Sequence, residues 1–201
     1  MPHTTGGQMA IKKPSQAQQR GMSFIEVLVA LVILVTGIFG AVAMQAAAKK
    51  GSFDAMQRSL ASSLAQDIIE RMRSNDSSVN NTPSTNVLAN YKGDNYGALG
   101  LSAPSPRCNS IANLCSSVER VANDRYEWEQ ALIGADVKNG SANVGGLVDA
   151  RGCIAVNGNA VTVAVSWLGR TDIADGAAGD VIECGTSGDA RRQILIQAFI
   201  F

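Results

Sequence analysis

The sequence predicts an α+β protein in which one long N-terminal helix packs on a small antiparallel β-sheet. Three observations carry that reading. An uncharged apolar run extends from Val27 to Ala48. A helical apolar stripe follows it directly at Phe53, Met56, Leu60, Leu64, Ile68 and Met72, in steps of three and four residues. Near the C-terminus Val161, Val163, Val165 and Trp167 alternate with Thr162, Ala164, Ser166 and Leu168, the period of a half-buried strand.

At about 1.5 Å per residue the apolar run spans roughly 33 Å as a helix, enough to cross a bilayer core. Residues 1–25 carry Lys12, Lys13 and Arg20 and no acid, a flank that keeps this end cytoplasmic. A secretory signal places a small-residue cleavage site after a short apolar core. Here the small residue, Gly21, precedes the core, so cleavage after Gly21 removes the basic leader and leaves the helix on the mature chain. Glu26 stands at the head of the run, where a carboxylate is expensive enough to be read as functional. Met1 and Met9 are both possible starts, and either gives the same mature chain.

The arrangement Gly21-Met22-Ser23-Phe24-Ile25-Glu26 followed by an apolar helix resembles the class III signal of type IV prepilins and pseudopilins. The resemblance implies a membrane peptidase that cuts between Gly21 and Met22 and N-methylates Met22. It also implies an assembly role for Glu26, paired with the N-terminal amine of a neighbouring subunit.

The helix is expected to continue from about Ser23 to Ser74 without a proline. Asp67 and Arg71 stand four apart on its polar side, a spacing that supports a helix by a few tenths of a kcal/mol. Gly37, Gly40 and Gly51 weaken it by about 1 kcal/mol each relative to Ala, or let neighbouring helices approach. Asn75 to Ser78 end the pattern. The stretch 79–106, rich in Asn, Ser, Thr, Gly and Pro, reads as a surface connector with little regular structure. A short helix is expected over Asn123–Ile133, capped by Asn123 or Asp124, with apolar contacts from Tyr126, Trp128, Leu132 and Ile133. Glu127 and Glu129, two apart, point to different faces and read as solvated, not as a paired-carboxylate site.

Gly152–Val156 reads as a strand, Asn157-Gly158-Asn159 as a hairpin turn, residues 169–190 as a Gly- and Asp-rich loop, and Gln193–Phe201 as a last strand. Together these make three or four antiparallel strands, one face lying on the Phe53–Met72 stripe. The expected organisation is a leader at 1–21, a transmembrane or filament-core helix at 22–48, its amphipathic continuation at 49–76, and a periplasmic α+β head at 77–201.

The function classes narrow by composition. The 201-residue chain has a formal net charge of zero, which gives no basic field for nucleic acid. Its one histidine, His3, lies in the leader, so the mature protein lacks imidazole for a catalytic triad or a His-ligated zinc. No Walker loop is present; Gly145-Gly146 has neither the context nor the Lys of a phosphate site. No catalytic residue, cofactor or metal is expected. Cys108, Cys115, Cys153 and Cys184 follow the span and so face an oxidising periplasm. They include no CxxC pair and read as structural disulfides, not as Cys₄ zinc. Four cysteines allow three pairings. Cys108–Cys115 with Cys153–Cys184 is favoured, because each pair then belongs to one local unit.

Further along, IIERMRSN, the two-cysteine segment before the helix with Trp128, the Gly152-Cys153-Ile154 strand, the strand ending at Trp167, Cys184, and Arg191-Arg192 before the last strand resemble the PilV-type minor pilin (type IV pilus modification protein). The resemblance implies a pilin-like fold and a non-enzymatic minor pilin that helps prime a type IV pilus and sits at or near its tip. Implied partners are other minor pilins, the major pilin, the prepilin peptidase, an inner-membrane assembly platform, a tip adhesin and the lipid bilayer. The implied location is the inner membrane, single-pass with the head periplasmic, and then the filament. A minor pseudopilin of a type II secretion system shares the same signal and is the alternative.

Overall fold

The computed structural model describes residues 21–75, 84–110, 114–172 and 183–200. Residues 1–20 of the leader, residues 76–83, which include the start of the expected connector, and residues 173–182 of the expected loop lie outside them. The chain divides into two units, residues 1–45 and 46–201.

Helix α1 runs Phe24–Ser74, 51 residues, as its two apolar patterns predict. Leu64, Ile68 and Met72 of the expected stripe are buried and Leu60 packs against the core, but the N-terminal part of the stripe is turned away. Gln57, Ala61, Leu64, Ala65, Ile68, Ile69 and Met72 are buried, whereas Met56 is 58% exposed and Phe53 and Leu60 are half-buried. Two forces turn the face. Ala61 and Ala65, wholly buried, offer flat ground for close packing. The Gln57 side chain is drawn in because its Oε1 accepts the Val148 N–H at 3.1 Å.

The segment read as an irregular connector is structured in its described part. It forms α2 (Ser84–Ala89) and β1 (Gly93–Tyr96). Val87, Leu88, Tyr91 and Tyr96 are buried there. Four apolar anchors in ten residues outweigh the turn-rich composition around them.

Helix α3 runs Ser117–Ile133, six residues longer at its start than expected. The cap is Ser116, not Asn123 or Asp124. Ser116 and Glu119 form a reciprocal capping box, which satisfies two orphan N–H groups at the helix start. At the other end Gly134 adopts φ 63°, the left-handed conformation that closes a helix cheaply only for Gly. Strands β2 (Lys138–Asn139) and β3 (Ala142–Asn143) form a small separate hairpin.

Strands β4 (Arg151–Asn157), β5 (Ala160–Leu168) and β6 (Arg191–Phe199) join β1 in a four-stranded sheet of order β1-β4-β5-β6. All neighbours are antiparallel. β4 turns into β5 from Asn157 to Ala160 with Gly158 at φ 59°, the positive φ that a tight hairpin requires. Along β5, Val161, Val163, Val165 and Trp167 face the core with the buried side of α1 and with Trp128 and Leu132 of α3. The opposite face of β5 is not solvated as expected. Ala164 and Ser166 are buried too, because the disulfide from Cys153 brings Cys184 over them, and Ser166 Oγ donates to the Cys184 carbonyl at 2.6 Å.

Trp128 is the centre of the packing. Its ring meets Tyr96 edge-on at 5.1 Å, and its Nε1 donates to the Leu64 carbonyl of α1 at 2.9 Å. It packs on β4 where Gly152 has no side chain. A Cβ on Gly152 would sit 2.5 Å from the Trp128 ring and 2.9 Å from Leu132.

Candidate functional site

The chemistry the sequence singles out begins where α1 begins. Gly21, Met22 and Ser23 precede the helix. The Ser23 carbonyl accepts the N–H of Glu26 at 3.0 Å and of Val27 at 3.3 Å, so the first turn closes under Glu26. A carboxylate in that turn meets the partial positive charge of the helix N-terminus. The site residues Gly21, Met22 and Glu26 thus share one end of one helix, and all are exposed. Met22 is 70% exposed.

Beyond Glu26 the helix presents apolar side chains that are exposed among the described residues. The most apolar 18-residue window of α1 has 0% of its residues buried. It is long and apolar enough to cross a membrane. Its one hydroxyl is dealt with internally, since Thr36 Oγ1 donates back to the Val32 and Ile33 carbonyls, 3.0 Å each, which removes a polar demand that lipid cannot meet. A side chain added at Gly37 or Gly40 would touch nothing within 4 Å, so these glycines are not required by packing within the chain.

Residues 16–42 match the prokaryotic N-terminal methylation motif. The chain carries a class III prepilin signal. The match ends where the apolar helix is still running, so it covers the leader junction, Gly21, Met22 and Glu26 and none of the head. No curated protein and no solved structure matches the chain. The motif implies a type IV pilin or pseudopilin, and such a signal points to a protein that works by assembly, not by catalysis. The apolar helix and the motif together are consistent with a membrane-anchored pilin.

The four cysteines pair as Cys108–Cys115 and Cys153–Cys184. The polar clusters of the head are internal. Arg71 bonds Asp67 at 2.8 Å, Glu127 at 2.7 Å and Asp124 at 3.3 Å, tying α1 to α3. Burial opposes the Arg71 charge, but the bonds to Glu127 and Asp67 and the nearby Asp124 outweigh it and hold the guanidinium above its usual value. Glu127 feels burial too, yet Arg71, Asn123 and Arg107 hold it below the ordinary carboxylate value. Asp124 goes the other way. Its burial prevails over its bonds to Tyr91 and Arg71 and raises it. The Tyr91 hydroxyl donates to Asp124 at 2.6 Å, and burial, then the Asp124 charge, push that phenol far above its usual value.

Glu129 overturns the solvated-face reading. It is 1% exposed. Its Oε1 accepts the N–H groups of Gly97, Leu99 and Gly100 at 3.1, 2.8 and 3.1 Å, and its Oε2 accepts that of Leu101 at 2.8 Å. One helix carboxylate therefore organises a whole loop. Nothing in the local sequence marks it, because the loop lies about thirty residues upstream. The capping box of α3 had a signal in the Ser116-x-x-Glu119 spacing. Among the described residues no group of three or more His, Cys, Asp or Glu is placed to hold a metal.

Proposed function

We propose that this chain is a minor pilin of the PilV type, which helps prime a type IV pilus and enters it at or near the tip. The observation that supports the reading is the methylation motif at residues 16–42 centred on Gly21, Met22 and Glu26 at the exposed head of α1. In this proposal residues 1–21 are the leader, 22–48 the transmembrane and filament-core helix, 49–76 its amphipathic continuation and 77–201 the periplasmic head. The prepilin waits in the inner membrane until the prepilin peptidase cuts after Gly21 and methylates Met22. Glu26 then pairs with the amine of a neighbouring subunit. A carboxylate in an apolar setting is unstable without a cation, so this pairing favours one register between subunits. Major pilin, other minor pilins, the assembly platform and a tip adhesin are the partners.

The test is the mass of the N-terminal peptide from sheared filaments and from membranes. N-methylated Met22 in filaments is the expected result. The processed end in membranes alone would favour a pseudopilin of a type II secretion system, and an intact leader in every fraction would end the prepilin reading. Glu26→Ala is expected to block incorporation while the head stays folded. Normal incorporation of that variant would remove the role assigned to Glu26.

A further inference from the structure

The sheet has two edges of unequal kind. β1, at one end of the order β1-β4-β5-β6, is four residues long, and its register with β4 is irregular between Gly93 and Tyr96. Such an edge offers another strand little to pair with. β6, at the other end, runs nine residues in unbroken register with β5. From Gln193 to Phe199 it contains no charge, no proline and no glycine. Among the described residues no strand pairs with its outer side. An edge of that length without those guards is a template for strand pairing.

The hydrogen-bond ladder decides which groups it offers. Just beyond β6 at either end, the Gly169 N–H donates to the Ala190 carbonyl at 2.7 Å and the Ile200 N–H to the Asn159 carbonyl at 2.9 Å, both in line with the β5–β6 register. Antiparallel alternation between those points turns the backbone groups of Ile194, Ile196 and Ala198 toward β5 and those of Leu195 and Gln197 away from it. At the start of the strand the Arg191 N–H is already held by the Gly188 carbonyl at 2.9 Å. Pairing therefore centres on Leu195 and Gln197. The side chains report the same open edge. Val163 and Val165 of β5 are wholly buried, whereas Ile196 and Ile194, opposite them and packed on the same core, stay half-buried.

The strand's own sequence commits the occupant. Gln193-Ile194-Leu195-Ile196-Gln197 reads the same in both directions. A second β6 laid antiparallel with Leu195 on the two-fold axis sets Leu195 against Leu195, Ile194 against Ile196 and Gln193 against Gln197. The outward groups of Leu195 then meet their own kind, as an isologous contact requires. Among antiparallel registers that keep outward groups facing, this one alone pairs the whole strand. The charges agree, because Arg191 and Arg192 fall opposite Phe199 and Ala198 of the second copy and no like charges meet. We propose that β6 is a self-pairing edge through which two copies of this chain join their sheets into one. The contact covers the half-open Ile194 and Ile196 on the core side and Leu195 on the other. It stands apart from the prepilin reading, since none of residues 21–26 enters it.

The full chain in detergent tests this by sedimentation and by amide exchange at Leu195 and Gln197. The expected result is a concentration-dependent dimer in which those two amides exchange at least about tenfold more slowly than on dilution. Leu195→Lys and Leu195→Glu each set like charges face to face on the axis and are expected to weaken the dimer at least about tenfold. The near-ultraviolet circular dichroism of the buried Trp128 and Trp167 should stay unchanged in both. Mixing the two variants in equal parts is expected to restore a dimer through Lys against Glu, which unfolded chains could not do. A mixture that stays monomeric overturns the register. A wild-type monomer at every concentration, with both amides exchanging fast, overturns self-pairing and leaves the edge to a strand of another protein. A monomer with both amides protected also overturns it, because the edge is then covered within the chain. Dimers that persist in both single variants place the contact elsewhere and overturn the role of β6.

Discussion

Replacing Glu129 by Gln removes one charge and leaves the shape of the side chain almost unchanged. The native carboxylate accepts four backbone N–H groups at 2.8–3.1 Å while 1% exposed. Hydrogen bonds to a charged acceptor contribute about 1.5–3 kcal/mol each, and an unpaired buried donor costs about 1–3 kcal/mol. The amide oxygen of Gln can keep the three donors on the Oε1 side as weaker neutral bonds. Its NH₂ then faces the Leu101 N–H, donor against donor. Part of the loss is recovered because a neutral amide is easier to bury. The net expectation is a loss of about 2–4 kcal/mol, or a Tm lower by on the order of 10 °C. The assay is thermal or urea unfolding of the full chain in detergent, followed by amide hydrogen exchange at Gly97, Leu99, Gly100 and Leu101. Protection at those four amides should fall before protection elsewhere in the head. A change under about 0.5 kcal/mol, the range of an ordinary surface substitution, with the four amides still protected, would refute the idea that the charge holds the loop.

Three further outcomes follow from the same coordinates. The bridge Cys153–Cys184 closes 31 residues and Cys108–Cys115 closes 7. The loop-closure relation then gives losses of about 3.7 and about 2.4 kcal/mol for the two paired Cys→Ala variants, checked by urea midpoints under oxidising conditions. Tyr91 and Tyr96 both have raised phenol values, burial being the leading cause. The unfolded chain therefore gives up protons from about pH 10 that the native head retains. Stability contributed by these phenols is present below pH 10 and falls as the pH rises above it. Tyrosinate absorbance from these two should appear only together with loss of the folded signal. Gly152→Ala is expected to cost about 1–3 kcal/mol by overpacking, since its Cβ would meet the Trp128 ring at 2.5 Å. The companion substitution Trp128→Leu should restore part of that loss in a double-mutant cycle.

The part of this protein that a sequence discloses is the part governed by local period and by the solvent. Residues 24–74 show as a helix because an unbroken apolar run is followed without a proline by a stripe at helical spacing. Strands β4, β5 and β6 show because apolar alternation and the Asn157-Gly158-Asn159 turn act over a few residues. The prepilin signal shows because it is a short linear motif, matched over residues 16–42, that needs no contact from elsewhere in the chain. What stayed hidden depends on contacts across the chain. Tyr91 and Tyr96 look like loop residues until Trp128 of α3 and the edge of β4 supply their surroundings. Glu129 looks solvated until a loop some thirty residues away closes over it. The outer face of β5 looks exposed until Cys184 is carried onto Ala164. The rotation of the α1 face is the instructive case. The stripe names the buried line correctly at Leu64, Ile68 and Met72 and fails at its start, where Met56 is exposed and Gln57 is buried instead. Burial follows Ala61 and Ala65, whose small side chains let Trp128 reach the Leu64 carbonyl. Taking Gln57 and Ala61 into the core leaves Met56 at the surface.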